Sequence, residues 1–538
     1  MESLTNLGVL DNFIKFHPTL APIMWSRANS SEKKQILNSY CQYYFQLARY
    51  LYIKDTDNSF LARVIAKCEL PNLLFAVFDV IESGEEFACQ FVESVNNFLR
   101  NFGLNKDRKE LTKRLQQIKF EVGSDNWYLA KSILGEQSWS ERYYSEAWEI
   151  FQEILAGLGE ILSYQRCITF GRLGRCYLSM EQPQEALKQY QLSLDVASKL
   201  DQDKEVKRQI GILRLNIGDV LADIGEYHSA HNSYEEALMI SQDLRDCRGE
   251  AAVQAQIGSL ELRQNKFTEA IQRHKAALKT FQKLNEPDMV AASSHQLGIA
   301  FQALCQWEDA ERSFRIAAQI NEQYGDVAGA VESWNQLGLI CKNLGKLPEA
   351  EEWHRKVLEI DRRYDSKINI AKDLSNIANL LQQCPQRLNE AQQLAEESLA
   401  IMQTLDPAVA QIWNIYSTLA KISDKQGDIA KAKEYRHQSR TARVNFAGTH
   451  YALRQYAQLI SFTVKAVNDV EGRQQLEPFW EQGIQLSKQN LVGAIRQILN
   501  GQRDEDILCE GLDIEDPQIV LAILRGISDP ETLQSFLK

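Results

Sequence analysis

The apolar positions along the middle of the chain recur with a helical spacing and then break, and the break itself repeats. An apolar residue directly precedes a glycine or alanine at Leu173, Ile217, Ile257, Leu297, Leu337 and Ile377. The small residues that follow are Gly174, Gly218, Gly258, Gly298, Gly338 and Ala378, and the last five are spaced by forty. Gly135 extends the series upstream and Ala420 downstream. Twelve residues after each small residue stands an alanine: Ala147, Ala186, Ala230, Ala270, Ala310, Ala350 and Ala432, with Ala391 one residue late across "QQCPQRLN". Eight units carry this pattern. Each predicts two antiparallel helices joined by a short turn, with the glycine and the alanine facing each other where the helices cross. Nine after the glycine, Tyr227, Phe267, Trp307 and Leu347 close the turn; sixteen after it, Tyr190, Tyr234, His274, Phe314 and His354 place a ring. A unit of this size cannot bury its own apolar stripe, so neighbours must stack.

These residues resemble tetratricopeptide repeats. Trp334, Leu337, Gly338, Gly345 and Ala350 carry the likeness best, and joins such as "QDLRDCRGEA" and "EQYGDVAGA" resemble the long-repeat branch of LGN/Pins-type scaffolds and kinesin light chains. The resemblance covers 126–440 and implies an all-α, right-handed superhelical α-solenoid. It is flanked by an N-terminal helical domain, 1–125, and a C-terminal helical cap, 441–538. Within the first of these, "ELPNLLFAVFDVIESGEEFACQFVESVNNFLRNFG" resembles the helices joining ATPase to repeats in STAND-class signalling proteins. The ATPase has no counterpart: "GLICKNLGKL" has the wrong spacing and ending for a phosphate loop.

Length and charge narrow the function. The chain has 538 residues, 44% hydrophobic and 25% charged, with a formal net charge of −12. That acidity argues against nucleic acid as the partner. The basic run "KDRKELTKR" at 106–114 reads as a solvated helix face. From 501 to 538, nine acidic residues face three basic ones, but Ile507, Leu508, Ile519, Val520, Leu521 and Leu524 make this a folded acidic segment. It reads as a cap on the last repeat, with a second docking module as the alternative. Two helices there are expected to start at Asp-Pro pairs, at Asp516 and Asp529. The first twenty residues lack a signal-peptide core, and no apolar run is long enough to span a bilayer. Ten scattered cysteines fit a reducing cytoplasm.

No constellation of catalytic residues stands out, no cofactor is expected, and no metal set is complete. His228 and His231 lack further ligands and read as surface residues; His274 and His354 read as packed rings. One row does stand out, two residues before each marker: Arg172, Asn216, Gln256, Gln296, Gln336 and Asn376. Amides both donate and accept, so such a ladder along the first helices suits the backbone of an extended partner peptide. In the resembled families this position often holds an asparagine that contacts bound peptide, which implies that role for Asn216 and Asn376 directly and, by extension, for Gln256, Gln296 and Gln336. The alternatives are a solvated face or amides bonded between repeats. Glu332, Lys372, Asp219, Asp223, Arg263 and Asn343 extend the same face. Lys372 with Asn376 resembles half of a carboxylate clamp, but Ile168 occupies the place of its other lysine, which argues against a reader of C-terminal carboxylates. The expected function is a non-enzymatic scaffold or adaptor holding a protein segment. The alternative is the sensor arm of a STAND-like system with a separate effector.

Overall fold

The structure, a computed structural model, describes residues 25–55, 59–102, 104–405 and 411–444. From there to 529 it describes a discontinuous set including 456–467, 471–476, 488–509 and 516–529. The first twenty residues and the helix expected after Asp529 lie outside it. All described elements are helices. The chain divides into two compact units, Met1–Ala330 and Val331–Lys538.

Among the described residues of the first unit, five helices come first: α1 (Ser30–Lys54), α2 (Ser59–Cys68), α3 (Leu70–Ser83), α4 (Ala88–Asn101) and α5 (Asn105–Leu115). Pro71 starts α3 without wasting a donor, and Gly84, at φ 71°, stops it in the left-handed region. The periodic residues Leu73, Val77, Val80, Phe91, Val92, Val95 and Leu99 then meet Leu111 and Leu115 in one core. In the run 106–114 Lys106, Lys109, Glu110 and Lys113 lie in water as expected, but Arg108, Leu111 and Thr112 are buried, at 5%, 0% and 4% exposed.

Five helix pairs follow: α6 (Asp125–Ser140) with α7 (Tyr144–Leu158), α8 (Tyr164–Ser179) with α9 (Pro183–Ala197), α10 (Lys204–Asp223) with α11 (Tyr227–Asp243), α12 (Cys247–Arg263) with α13 (Phe267–Leu284), and α14 (Pro287–Ala303) with α15 (Trp307–Tyr324). Ser124, Ser163, Asp203 and Asp246 cap four of the first helices by accepting from the N–H of Trp127, Arg166, Val206 and Gly249. The turn inside each pair places the seventh residue after the marker at positive φ: Arg142, Glu181, Gly225, Asn265 and Cys305.

The crossing differs from the expectation. The repeat glycine faces the ring sixteen residues on, not the alanine twelve residues on. A Cβ on Gly174 would lie 2.6 Å from Tyr190, and one on Gly298 would lie 2.6 Å from Phe314. Gly135 does the same with Phe151, at 2.7 Å, so the ring position extends to the first repeat. The alanines are 0% exposed in all eight repeats, because they fill the second helix's buried stripe beside that ring.

The second unit contains most of α16 (Val327–Asn343), then α17 (Leu347–Arg363), α18 (Lys367–Leu381), α19 (Leu388–Met402), α20 (Trp413–Gln426) and α21 (Ile429–Val444). Gly345 and Gly427 hold the positive-φ turn position. In the repeat between them that position is Pro385, which cannot adopt it, and a 3-10 turn, Pro385–Arg387, replaces it. This is why Ala391 arrives one residue late. Beyond α21 come α22 (Ala457–Ala466), α23 (Gln489–Leu499), α24 (Glu505–Leu508) and α25 (Asp516–Ser528). They share a core of Ile460, Leu491, Ile495, Ile519, Val520 and Ile523. The acids of α24 meet the bases of α21: Asp506 accepts from Arg440 at 2.7 Å, and Glu505 lies 3.2 Å from His437. Asp516, 1% exposed at the Asp-Pro start of α25, is neutralised by Lys488 at 2.8 Å.

Candidate functional site

Within the first unit, the first helices of successive pairs touch: α8 with α10, α10 with α12, and α12 with α14. This places Arg172, Asn216, Gln256 and Gln296 at equivalent points on neighbouring helices. In the second unit Gln336 lies on α16 and Asn376 on α18. All six are half-buried except the exposed Asn376. Among the described residues, Asn216, Gln296, Gln336 and Asn376 have no side-chain hydrogen bond to protein.

Gln256 is different. Its Nε2 donates to Asp219 Oδ1 at 2.9 Å, and the same oxygen accepts from the Tyr234 hydroxyl at 2.7 Å. Tyr234 reaches Asp219 because it lies across Gly218. Burial raises the Asp219 carboxyl to about 6, partly offset by those two donors. Gln256 and Asp219, expected as binding residues, are therefore engaged with each other between repeats. Asp223 and Arg263 likewise pair at 2.7 Å, and Arg263 also donates to the Ala222 carbonyl at 3.0 Å. Both are occupied in joining α10 to α12. In the second unit Glu332, Lys372 and Asn343 are exposed, and Lys372 and Asn376 lie one turn apart on α18.

Arg172 stands apart from the amides. Its Nε pairs with Glu136 Oε1 at 2.8 Å, and Arg175 binds both Glu136 oxygens at 2.6 Å. Burial alone would raise Glu136, but Arg175 and then Arg172 outweigh it and hold the carboxyl at about 2. Arg172 also lines a cavity of about 560 Å³ between the N-terminal helices and α6 and α8. Glu136 follows Gly135 just as Asp219 follows Gly218. A charge directly after the repeat glycine was the sequence feature that could have flagged both.

A second residue set also escaped the sequence reading. Arg63 on α2 is 3% exposed. It donates to Asp55 at 2.7 and 3.1 Å and to the Leu284 carbonyl at 3.2 Å, and it pairs with Glu286 at 3.2 Å. Arg248 completes the group by binding Glu286 at 2.8 Å. The N-terminal helices thus reach the join between α13 and α14, more than two hundred residues along the chain. No local pattern around Arg63 announces this.

His274 and His354 are packed rings, as expected. Burial pushes both to about 4, so they are neutral at physiological pH. His228 is exposed, and His231 sits 3.3 Å from Glu235 one turn away. The ten cysteines are free thiols, and Cys167 is used in packing, with its Sγ 3.4 Å from the Ser193 carbonyl. No helix among the described residues is long and apolar enough to cross a membrane.

A tetratricopeptide repeat model matches residues 165–243, 249–323 and 329–404. No curated protein matches the chain. Among solved structures, BtubC (BKLC) from P. vanneervenii is 23% identical, covering 40% of this chain and 89% of its own, with a TM-score of 0.36. A Signal Transduction ATPase with Numerous Domains (STAND) protein with a tetratricopeptide repeat sensor, from Pyrococcus horikoshii, is 14% identical. It covers 62% of this chain, which spans only 52% of that protein, with a TM-score of 0.49. The apo quorum sensor NprR from B. thuringiensis is 12% identical, covering 70% of this chain and 99% of its own, with a TM-score of 0.44.

Proposed function

We propose, from the premise that the central repeats are tetratricopeptide repeats, that the chain is a non-enzymatic interaction module holding a segment of another protein along its first helices. The observation that carries this reading is the set of amides left without protein partners: Asn216, Gln296, Gln336 and Asn376. Each offers donors and an acceptor to the backbone of an extended segment. Gln256 is withdrawn from the expected set because Asp219 holds it. Free thiols throughout suit a reducing, cytoplasmic setting.

The test is capture of protein partners by the purified chain, quantified against a variant with those four amides changed to alanine. A control carries Gln242, Gln272 and Arg312 changed to alanine on the second helices. Selective loss of capture in the first variant, with helicity retained, supports the reading. Equal capture by both defeats it.

The sensor reading has its own support in the Arg63 group. A cluster of two arginines and two carboxylates, with Arg63, Asp55 and Glu286 in its interior and Arg248 on its exposed side, ties the N-terminal helices to repeats distant in sequence. Breaking such a cluster leaves uncompensated charge, so an event at the repeats that displaces Glu286 carries a cost to the N-terminal helices. Arg63→Ala should raise amide exchange across α2 while the repeats stay protected. Unchanged exchange would remove the support.

A further inference from the structure

The cavity beside Arg172 carries charge of both signs, and the two signs do not cancel. It is lined by α1, α4 and α5 on one side and by α6 and α8 on the other. Along α4 the lining residues include Gln90, Glu93, Asn97 and Arg100, spaced by three or four, so one stripe of that helix faces the cavity. Glu93 and Arg100 stand seven residues apart on the stripe, two turns or about 10 Å. Charges on one helix meet at a spacing of three or four, so these two do not meet.

Each end of the stripe gathers like charge. Arg100 donates to the neutral Asn97 amide at 2.7 Å, and among the described residues no carboxylate lies within ion-pair distance of it. Burial holds its guanidinium below the ordinary range; Glu136 works against that, and Arg248 and Arg175 add to it. Those neighbours already have partners, since Arg175 binds Glu136 and Arg248 binds Glu286. At the other end, Glu93 has neither a hydrogen-bond nor an ion-pair partner among the described residues. Burial raises its carboxyl; Arg172, committed to Glu136, opposes that, and Glu205 adds to it. Tyr52 senses both ends: burial raises its phenol, Glu93 raises it further, and Arg100 pulls it back.

The other charges on the wall have simpler accounts. Arg108 is buried and donates to Asn96 at 3.2 Å. Arg49 and Asp125 are exposed, and Asp125 is the first residue of α6, where the positive end of the helix favours a carboxylate. Glu93 and Arg100 remain as confined charges without partners, which low-dielectric surroundings penalise. Both have surface that a ligand can reach, because Arg100 is exposed and Glu93 half-buried. A lone anion or a lone cation would leave one of them unmatched. A single amino acid carries both charges but too close together. Three residues in extended form span about 10 Å. Tyr52, Tyr164 and Ile168 also line the cavity and offer rings and an apolar chain to the middle of such a ligand. Its volume of about 560 Å³ suits a small molecule.

We propose that this cavity binds a short peptide with free termini, its ammonium at Glu93 and its carboxylate at Arg100. This site is separate from the amide row and does not depend on it.

The test is calorimetric titration of the full chain, at constant ionic strength, with the tripeptide Ala-Phe-Ala. It should bind one to one. Its N-acetylated and its C-amidated forms should each bind about tenfold more weakly or worse, the loss of one charge-assisted contact. Glu93→Gln should weaken the free tripeptide to the same degree but leave the acetylated form, which has no ammonium, unaffected. Arg100→Gln should weaken the free tripeptide but leave the amidated form, which has no carboxylate, unaffected. Lys199→Gln, at an exposed lysine outside the cavity, should change nothing. The variant with the four amides replaced should bind the tripeptide as wild type does, so this proposal and partner capture fail separately. Circular dichroism confirms folding, and if the cavity variants are misfolded, the capped peptides on the unaltered chain decide. Absence of one-to-one binding overturns the proposal. So does unchanged affinity after capping either end, or tripeptide binding that survives both Glu93→Gln and Arg100→Gln.

Discussion

Two neighbouring repeats share one backbone solution and use it differently. At Gly218 the ring is Tyr234; at Gly258 it is His274. Both rings lie against a glycine that no alanine could replace without displacement. Tyr234 ends in a hydroxyl that reaches Asp219, and Asp219 then draws in Gln256 from the next repeat. His274 is 1% exposed and neither ring nitrogen has a partner. The residue after its glycine is Ser259, whose hydroxyl donates to Ala255 within its own helix. Nothing there recruits Gln296, which stays available. The lesson is that one register position is structural in one repeat and open in the next. What decides is the ring at the crossing together with the residue after the glycine.

The most damaging way to break the shared solution is to fill the crossing. Gly298→Leu should destabilise the first unit by about 3 kcal/mol, since the new side chain must displace Phe314. Thermal unfolding measures it, and an unchanged midpoint would contradict the crossing. Acid separates the two repeats next. Burial lowers the His274 imidazole in the folded chain to about 4, against an ordinary value of 6.5. The unfolded chain therefore takes up the proton first, and stability is lost as pH falls from 6.5 through 4. The loss should be about 3 kcal/mol, and His274→Phe should remove it. Asp219 runs the other way. Its carboxyl is raised from 3.8 to about 6, so its contribution is present below 3.8 and lost as pH rises through 6. Asp219→Asn should abolish that dependence in urea unfolding across the same window. A variant with wild-type pH dependence at either site would break the corresponding half of the comparison.

The repeats were legible in the sequence because stacking demands them: the forty-residue spacing, the buried alanines and the ring positions are periodic by necessity. The turn was half legible. Seven residues after the marker, the chain needs positive φ, yet only three of the seven residues that adopt it, Gly225, Gly345 and Gly427, are glycines. Arg142, Glu181, Asn265 and Cys305 adopt it without announcing it. The choice of the alanine as the glycine's partner was wrong because spacing along a helix pair shows which residues are small, not which side chain crosses over. The amide row was visible, but its split into used and free members depends on Asp219, a contact between helices. Arg63 with Glu286, and the arginines of the cavity, join segments far apart in sequence; nothing local could have paired them.

The smallest expected effects carry the most weight, because they separate structure from binding at one register position. Gln256→Ala and Gln296→Ala, each alone, are compared by urea unfolding and by partner capture. Gln256→Ala should lower stability by about 1–2 kcal/mol, because the buried side of Asp219 loses a donor. Gln296→Ala should stay within about 0.5 kcal/mol of wild type and should lower capture relative to Gln256→Ala. The reverse pattern, with Gln296→Ala destabilising the chain and Gln256→Ala neutral, would contradict the account.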